Sequence, residues 1–286
     1  MIALIDGDPI VYRVGFACEK KHYFVFLKDA EDYGYVASFE NKTDLNRRLK
    51  LHDAEGSVSV EERLEIDELA NCLHSAKLQV ESILKDTQAD DYVIYLSGKN
   101  NFRDELVDYY KANRDRSKRP AHYDNITKYL LDHWKTEVVD GVEADDKLGI
   151  EQTENTIICT IDKDLDNVPG WHYNFVKGDL YHVDEETATK NFYSQLLSGD
   201  AVDNIPGLYK IAGTRCTAKM QEGLLYLDTE EEMWRYVVRQ YLKAFNPNEE
   251  EYQDCLAAIV TKLREIGKLL WIQQSPGEDW EPPNEN

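Results

Sequence analysis

Short runs of β-branched and aromatic residues alternate along this chain with longer stretches whose apolar positions recur every three or four residues. The runs are "IALI" at 2–5, "YVIYL" at 92–96, "TEVV" at 136–139 and "TIICTI" at 156–161, and each predicts a strand. The clearest amphipathic stretch is 61–87, where Ile66, Leu69, Leu73, Ala76, Val80 and Ile83 keep helical spacing and predict one helix. Strands separated by helices need crossover connections, so the expected class is α/β, with a mainly parallel central sheet flanked by helices. Two segments depart from the alternation. "HYFVFLKDAEDYGYVASF" at 22–39 and "HYNFVKGDLYHV" at 172–183 each predict a hairpin, the second turning at Lys177-Gly178-Asp179. Beyond about 185 the strand pattern stops and helical periodicity continues to about 272. The expected organisation is an α/β core over 1–184, a helical part over 185–273 and a disordered Pro-, Gly- and acid-rich tail over 274–286.

Length and cysteine usage narrow the class without changing it. A chain of 286 residues can bury a substantial core without covalent staples. Its cysteines, Cys18, Cys72, Cys159, Cys216 and Cys255, are scattered with no CxxC pair, which argues against a disulfide framework or a structural zinc and for a reduced, cytoplasmic compartment. The opening "MIALIDGDPIVYR" is interrupted by aspartates and does not fit a signal peptide, and no stretch suits a membrane span.

Charge does change the picture. The formal charge is −22, which taken as an average repels polyanions. The basic residues are nevertheless concentrated: "YYKANRDRSKRP" at 109–120 holds Lys111, Arg114, Arg116, Lys118 and Arg119 against the single acid Asp115. A solvated helix face is the ordinary reading of a charge run, but this one stands out against an acidic chain.

The acids are also grouped. Asp6 follows the first strand, "GVEADD" places Glu143, Asp145 and Asp146 just after "TEVVDG", and Asp162 ends "TIICTI" with Asp164 two residues on. "SGDAVDNIPG" adds Asp200 and Asp203. Carboxyl ends of parallel strands are where open α/β sheets bind ligands, so acids distant in sequence are expected to converge there. Any one pair is also explained as a loop or helix-cap aspartate; several clusters together favour a site. Converging carboxylates repel unless a cation neutralises them. With no histidine or cysteine in the clusters, hard Mg²⁺ or Mn²⁺ fits better than zinc. Two such ions suit phosphodiester hydrolysis, with Lys111 and Arg114, expected on a helix, to grip phosphate.

The motifs "LIDGD", "NFRDELVDYYKANR", "GVEADD", "IDKDL" and "GDAVDNIPG", in this order over roughly residues 1–220, resemble the 5′-nuclease (flap endonuclease) superfamily, most closely the 5′-to-3′ exonucleases of T-odd bacteriophages. The resemblance implies that Asp6, Glu143, Asp145 and Asp162 hold one Mg²⁺, with Asp164, Asp200 and Asp203 on a second and Mn²⁺ as a substitute. Asp146 takes an outer metal role, and Asp8 a similar secondary one. Lys111 and Arg114 contact the scissile phosphate, and Tyr110 stacks on a base. Residues 97–125, with Arg103, Arg116, Lys118 and Arg119, form a helical arch over a 5′ single strand. "GDAVDNIPGLYKIAGTRCTAKM" corresponds to a helix-three-turn-helix that grips duplex DNA through helix-end amides and Lys210, Arg215 and Lys219, with K⁺ in the loop. Two departures stand out: Ser97 and Gly98 occupy the place of a family aspartate, and the turn loop is longer than usual.

The resemblance therefore implies a monomeric, metal-dependent nuclease acting on DNA 5′ ends, nicks or flaps in phage replication or recombination, cytoplasmic in the host. Two other readings are weighed beside it. A compact ribonuclease also clusters acids at a parallel sheet, but such domains are about half this length. A non-catalytic acidic protein that mimics DNA has the net charge in its favour.

Overall fold

From its amino terminus the chain runs β1 (Ile2–Asp6), α1 (Gly7–Ala17), β2 (Glu19–Leu27), β3 (Tyr35–Phe39), α2 (Lys42–Leu51), β4 (Val58–Ile66), α3 (Leu69–Thr87), β5 (Asp91–Asn101), α4 (Phe102–Leu106), α5 (Tyr123–His133), β6 (Thr136–Gly141), α6 (Ala144–Glu151) and β7 (Thr156–Thr160). A 3-10 turn (Lys163–Asn167) leads to β8 (Gly170–Asn174), β9 (Asp179–Val183), α7 (Glu185–Ser198), α8 (Leu208–Ala212), α9 (Ala218–Leu224), α10 (Glu230–Phe245) and α11 (Tyr252–Leu270). The computed structural model describes residues 1–28, 34–115 and 118–283. The chain divides into two compact units: Met1–Pro9, Glu81–Lys118 and Trp134–Asn286 make the first, Ile10–Val80 and Arg119–His133 the second.

The first unit is built on a six-stranded sheet in the order β6-β5-β1-β7-β8-β9. Every neighbouring pair is parallel except β8 with β9, the expected hairpin at the sheet edge. All of β7 is buried, as a central strand of a parallel sheet requires. Leu4, Val93, Tyr95 and Ile158 pack against Ala144 and Leu148 of α6. A second core is purely helical, with Phe192 and Leu196 of α7, Trp234, Val237 and Tyr241 of α10, and Leu263 and Ile266 of α11. α10 starts where it does because Thr229 and Glu232 form a reciprocal capping box; Asn246, in left-handed conformation at φ 48°, ends it.

The second unit contains a three-stranded antiparallel sheet, β3-β2-β4, with Leu45 of α2 packed on Tyr23, Val25 and Val58. β2 and β3 are the expected hairpin. β4 corrects the expected helix over 61–87: residues up to Ile66 form a strand paired along all of β2, and the helix begins at Leu69. Cross-strand pairs decide it, with Lys21 on Glu62 and His22 beside Glu65. Helical spacing here was carried by Ile66 alone, which is half exposed.

Two further expectations change. The segment carrying Lys111 and Arg114 is not helical: α4 ends at Leu106, and Lys111 stands at φ 51°. Its N–H donates to the carbonyl of Asp203 at 2.9 Å, a tertiary bond that replaces the helical one. The tail is ordered over 274–283, where Trp280 is 5% exposed and its ring meets Phe192, Trp234 and Gly267. Acidic composition concealed that one anchor, and Lys268 holds Asp279 and Glu281 beside it. The five cysteines are free thiols. No helix among the described residues is long and apolar enough to cross a membrane.

Replacing Trp280 with Ala should lower unfolding free energy by about 3 kcal/mol, measured by urea denaturation. A loss under about 1 kcal/mol would mean that this ring is not part of the core.

Candidate active site

Three strands deliver the acids. β1 ends at Asp6, β6 leads into Glu143, and β7 leads through Thr160 to Asp162. The parallel register sets Asp6 opposite Tyr95 and Ile5 opposite Cys159, so the strand ends are level. Asp6 is almost wholly buried and its Oδ2 accepts the Thr160 hydroxyl at 2.7 Å. Burial, then Asp8 and Asp162 nearby, push its carboxyl well above the usual range. Asp145, on the first turn of α6, is raised in the same way by burial and by Asp6, Asp162 and Glu143. Asp162 caps the 3-10 turn by accepting the Asp164 N–H at 2.9 Å. Burial, then Asp162 and Asp200, push Asp164 up to about 7, and Gln195 donates to it at 2.7 Å. Asp6, Asp145, Asp162, Asp164 and Asp200 thus lie in one electrostatic neighbourhood.

Glu143 and Asp203 are drawn together by cations. Lys111 Nζ binds Glu143 and lies 3.3 Å from Asp203 Oδ2; Arg114 binds Asp203 Oδ1. Burial works to raise the Glu143 carboxyl, but Lys111 and Arg103 outweigh it and hold it below the ordinary value. Lys111 and Arg114 lie along an open cavity of about 510 Å³ that Asp104, Asp108 and Asp115 also line.

Three sequence expectations are corrected here. Arg103 is 2% exposed, and each of its five N–H donors has an acceptor: Asp146 twice at 2.6 and 2.8 Å, Leu269 O at 2.9 Å, Trp271 O at 2.5 Å and Glu143 at 3.4 Å. It has none left for a DNA phosphate. Asp146, fully buried, accepts four bonds, from Arg103 twice, Glu143 N–H and Gln273 N–H, so its lone pairs are used and it is not a metal ligand. Tyr110 is 5% exposed, with its hydroxyl donating to Glu143 at 2.8 Å and near Asp203 at 3.1 Å; no ring face is open to a base.

The remaining basic residues lie on the surface. Lys118 pairs with Asp115 at 3.3 Å, and Arg119 lies over the Tyr123 ring. Lys210 of α8 donates to Asn204, while Arg215 and Lys219 are exposed at the α8–α9 connection. Arg116 lies outside the described residues.

Sequence reasoning missed Thr160 and Gln195 as partners of Asp6 and Asp164; only the position of Thr160 at the end of β7 could have signalled it. It also left open what takes the place of the family aspartate at Ser97 and Gly98. There, Ser97 N–H donates to Asp8 Oδ2 at 3.2 Å, and Ser97 Oγ accepts the Ala144 N–H. The carboxylate next to Ser97 is therefore that of Asp8. Gly98 cannot carry one, since a Cβ would stand 2.3 Å from Val139 O.

The chemistry of the donors fits a hard divalent cation: all are carboxylate oxygens, and Asp6, Asp145 and Asp164 are raised in pKa by burial and by neighbouring carboxylates whose repulsion a cation would relieve. Among the described residues no three Asp, Glu, His or Cys side chains stand together in metal-ligand geometry. The carboxylates share a neighbourhood rather than a closed ligand sphere.

The architecture, a mainly parallel sheet with acids at its carboxyl edge followed by a helical part, is similar to that of solved structures of T5 5′-exonuclease. A mutant of that enzyme superposes with a TM-score of 0.55 at 15% identity, covering 94% of this chain and 86% of that one. The same exonuclease with divalent metal ions (zinc) bound gives 0.52 at 19% identity, covering 94% and 88%. A T5 protein co-crystallised with metal ions gives 0.54 at 17% identity, with the same coverage of 94% and 88%. No family model matches the chain, and no curated protein matches it.

Carboxyls raised by burial make stability depend on pH. From the unfolded value of 3.8 up to about 7, folded Asp164 keeps a proton that the unfolded chain has released, so stability falls as pH rises through that window. With chelator present, thermal unfolding should show lower stability at pH 7.5 than at pH 5.5. Asp164→Asn should restore ~1–2 kcal/mol at pH 7.5, allowing for solvent screening. An unchanged pH dependence in that variant would remove Asp164 from the explanation.

Proposed function

We propose that this protein is a metal-dependent nuclease that hydrolyses DNA phosphodiesters from 5′ ends, by exonuclease or flap-endonuclease action. The observation that carries the reading is the meeting of Glu143 and Asp203 at Lys111, which sets a cation suited to phosphate within the acid-lined edge of the sheet. The T5 5′-exonuclease fold supports the same class of reaction.

Asp6, Glu143, Asp145 and Asp162 would hold one ion, and Asp164, Asp200 and Asp203 a second. When bound, two hard cations such as Mg²⁺, or Mn²⁺ in its place, supply the Lewis acidity that in-line attack of water on a phosphodiester needs. Lys111 and Arg114 would then exchange part of their hold on Glu143 and Asp203 for the phosphate oxygens and stabilise the charge that develops on them. Tyr110, through its hydroxyl, keeps Glu143 and Asp203 oriented. The carboxylates hold cations rather than shuttle protons. The α8–α9 connection, with Lys210, Arg215 and Lys219, would grip duplex backbone without reading sequence, with K⁺ as the loop cation. Lys118 and Arg119 would serve the 5′ strand. We infer a monomer acting in a phage-infected cytoplasm, in replication or recombination.

The test is digestion of 5′-labelled and 3′-labelled duplex, nicked and flapped DNA in Mg²⁺, with chelator as control. Mononucleotides from 5′ ends or flap fragments are expected, together with loss of cleavage in Asp162→Ala and a drop of ~10²–10³ in kcat in Lys111→Ala. Full activity in Asp162→Ala would sink the reading. Preference for RNA would favour the ribonuclease alternative, and chelator-insensitive binding without cleavage the DNA mimic.

A further inference from the structure

The Arg103–Asp146 pair stands outside the reaction just described, yet its bonds reach three parts of the first unit. Arg103 opens α4, from which the Lys111 segment continues. Asp146 lies on α6, and its Oδ2 fixes the N–H of Glu143 at 3.0 Å while Oδ1 fixes the N–H of Gln273 at 3.1 Å. The guanidinium also takes the carbonyls of Leu269 and Trp271, where α11 ends. Its fifth donor points to Glu143 Oε2 at 3.4 Å. A planar fork is needed for this: five donors in fixed directions define the relative placement of α4, the start of α6 and residues 269–273 together.

Resting on the nuclease reading, we propose that Arg103 is a positioning residue that couples residues 269–273 to the Glu143 carboxylate and to the Lys111 segment, so that the end of α11 is a determinant of metal binding and turnover. Arg103 touches neither phosphate nor cation. It acts through Glu143, whose backbone and side chain it holds in one place, as partners behind a ligand commonly do.

Lysine in place of Arg103 keeps the charge and loses the fork. Arg103→Lys should weaken Mn²⁺ binding, measured by calorimetric titration, by ~10–100-fold and lower kcat by a similar factor, with KM for duplex DNA nearly unchanged. Because a half-paired Asp146 in the core lowers stability, a second variant replaces both partners, Arg103→Met with Asp146→Leu, a change that buried pairs often tolerate in folding. This double variant, shown to be folded by circular dichroism, should lose Mn²⁺ affinity and kcat to the same extent. If it binds Mn²⁺ and turns over DNA as the parent does, the pair is structural only and the proposal fails. A rise in KM at constant kcat in Arg103→Lys also overturns it, since that marks a direct DNA contact. If the parent binds Mn²⁺ but cuts no DNA, the nuclease reading alone fails, and the Mn²⁺ comparison still decides the role of Arg103. A parent that binds no Mn²⁺ overturns both.

Discussion

Like charges confined to one sheet edge are the constraint around which the first unit is arranged. Burial of Asp6 and Asp145 in each other's field is costly for the ionised forms, and that cost is answered in two ways. Some carboxylates retain protons at higher pH, as Asp164 does. Others are neutralised by basic residues brought in from a distance. Lys111 can reach Glu143 and Asp203 only because the chain leaves α4 at Leu106 and turns, giving its N–H to Asp203 O. The loss of regular helix there is the local consequence of an electrostatic demand elsewhere.

The same demand links the sheet to the helical core. Asp146 is the last acid of the motif "GVEADD" and would add to the repulsion were its oxygens not taken up by Arg103 and by the N–H groups of Glu143 and Gln273. That commitment draws the end of α11 onto the start of α6, and Ile272 joins Leu148 and Val168 in the apolar layer beside the sheet. One acid therefore serves architecture, while its neighbours Glu143 and Asp145 belong to the acid cluster at the sheet edge. Adjacent residues on a single helical turn point in different directions, and this divides their work.

Much of this division is local and was open to reading in the chain. Asp6, Glu143 and Asp162 follow apolar runs, so their place at strand ends required no tertiary knowledge. The misreadings share a cause: each turns on a partner far away in sequence. Arg103 and Tyr110 stand in a basic, aromatic segment and suggest a nucleic-acid surface, but Asp146 and Glu143, over thirty residues on, draw them inward. Trp280 lies in a composition typical of disorder and is ordered by Phe192. β4 fitted the helical spacing of the stretch only through Ile66 and becomes a strand because β2 offers complementary charges.

β4 also bears on how the molecule behaves among its own copies. It closes one side of its sheet, and among the described residues no further strand pairs with it. Val60, Leu64 and Ile66 are exposed along this open edge, which invites strand addition. Antiparallel pairing of two such edges about their centres would match Val60 with Leu64 but set Glu62 against Glu62, a like-charge contact that Lys21 only partly offsets. This deterrent is ionic, and so weakens in strong salt. The open edge is thus guarded in dilute buffer and least guarded where concentrated salt is used to precipitate or crystallise the protein.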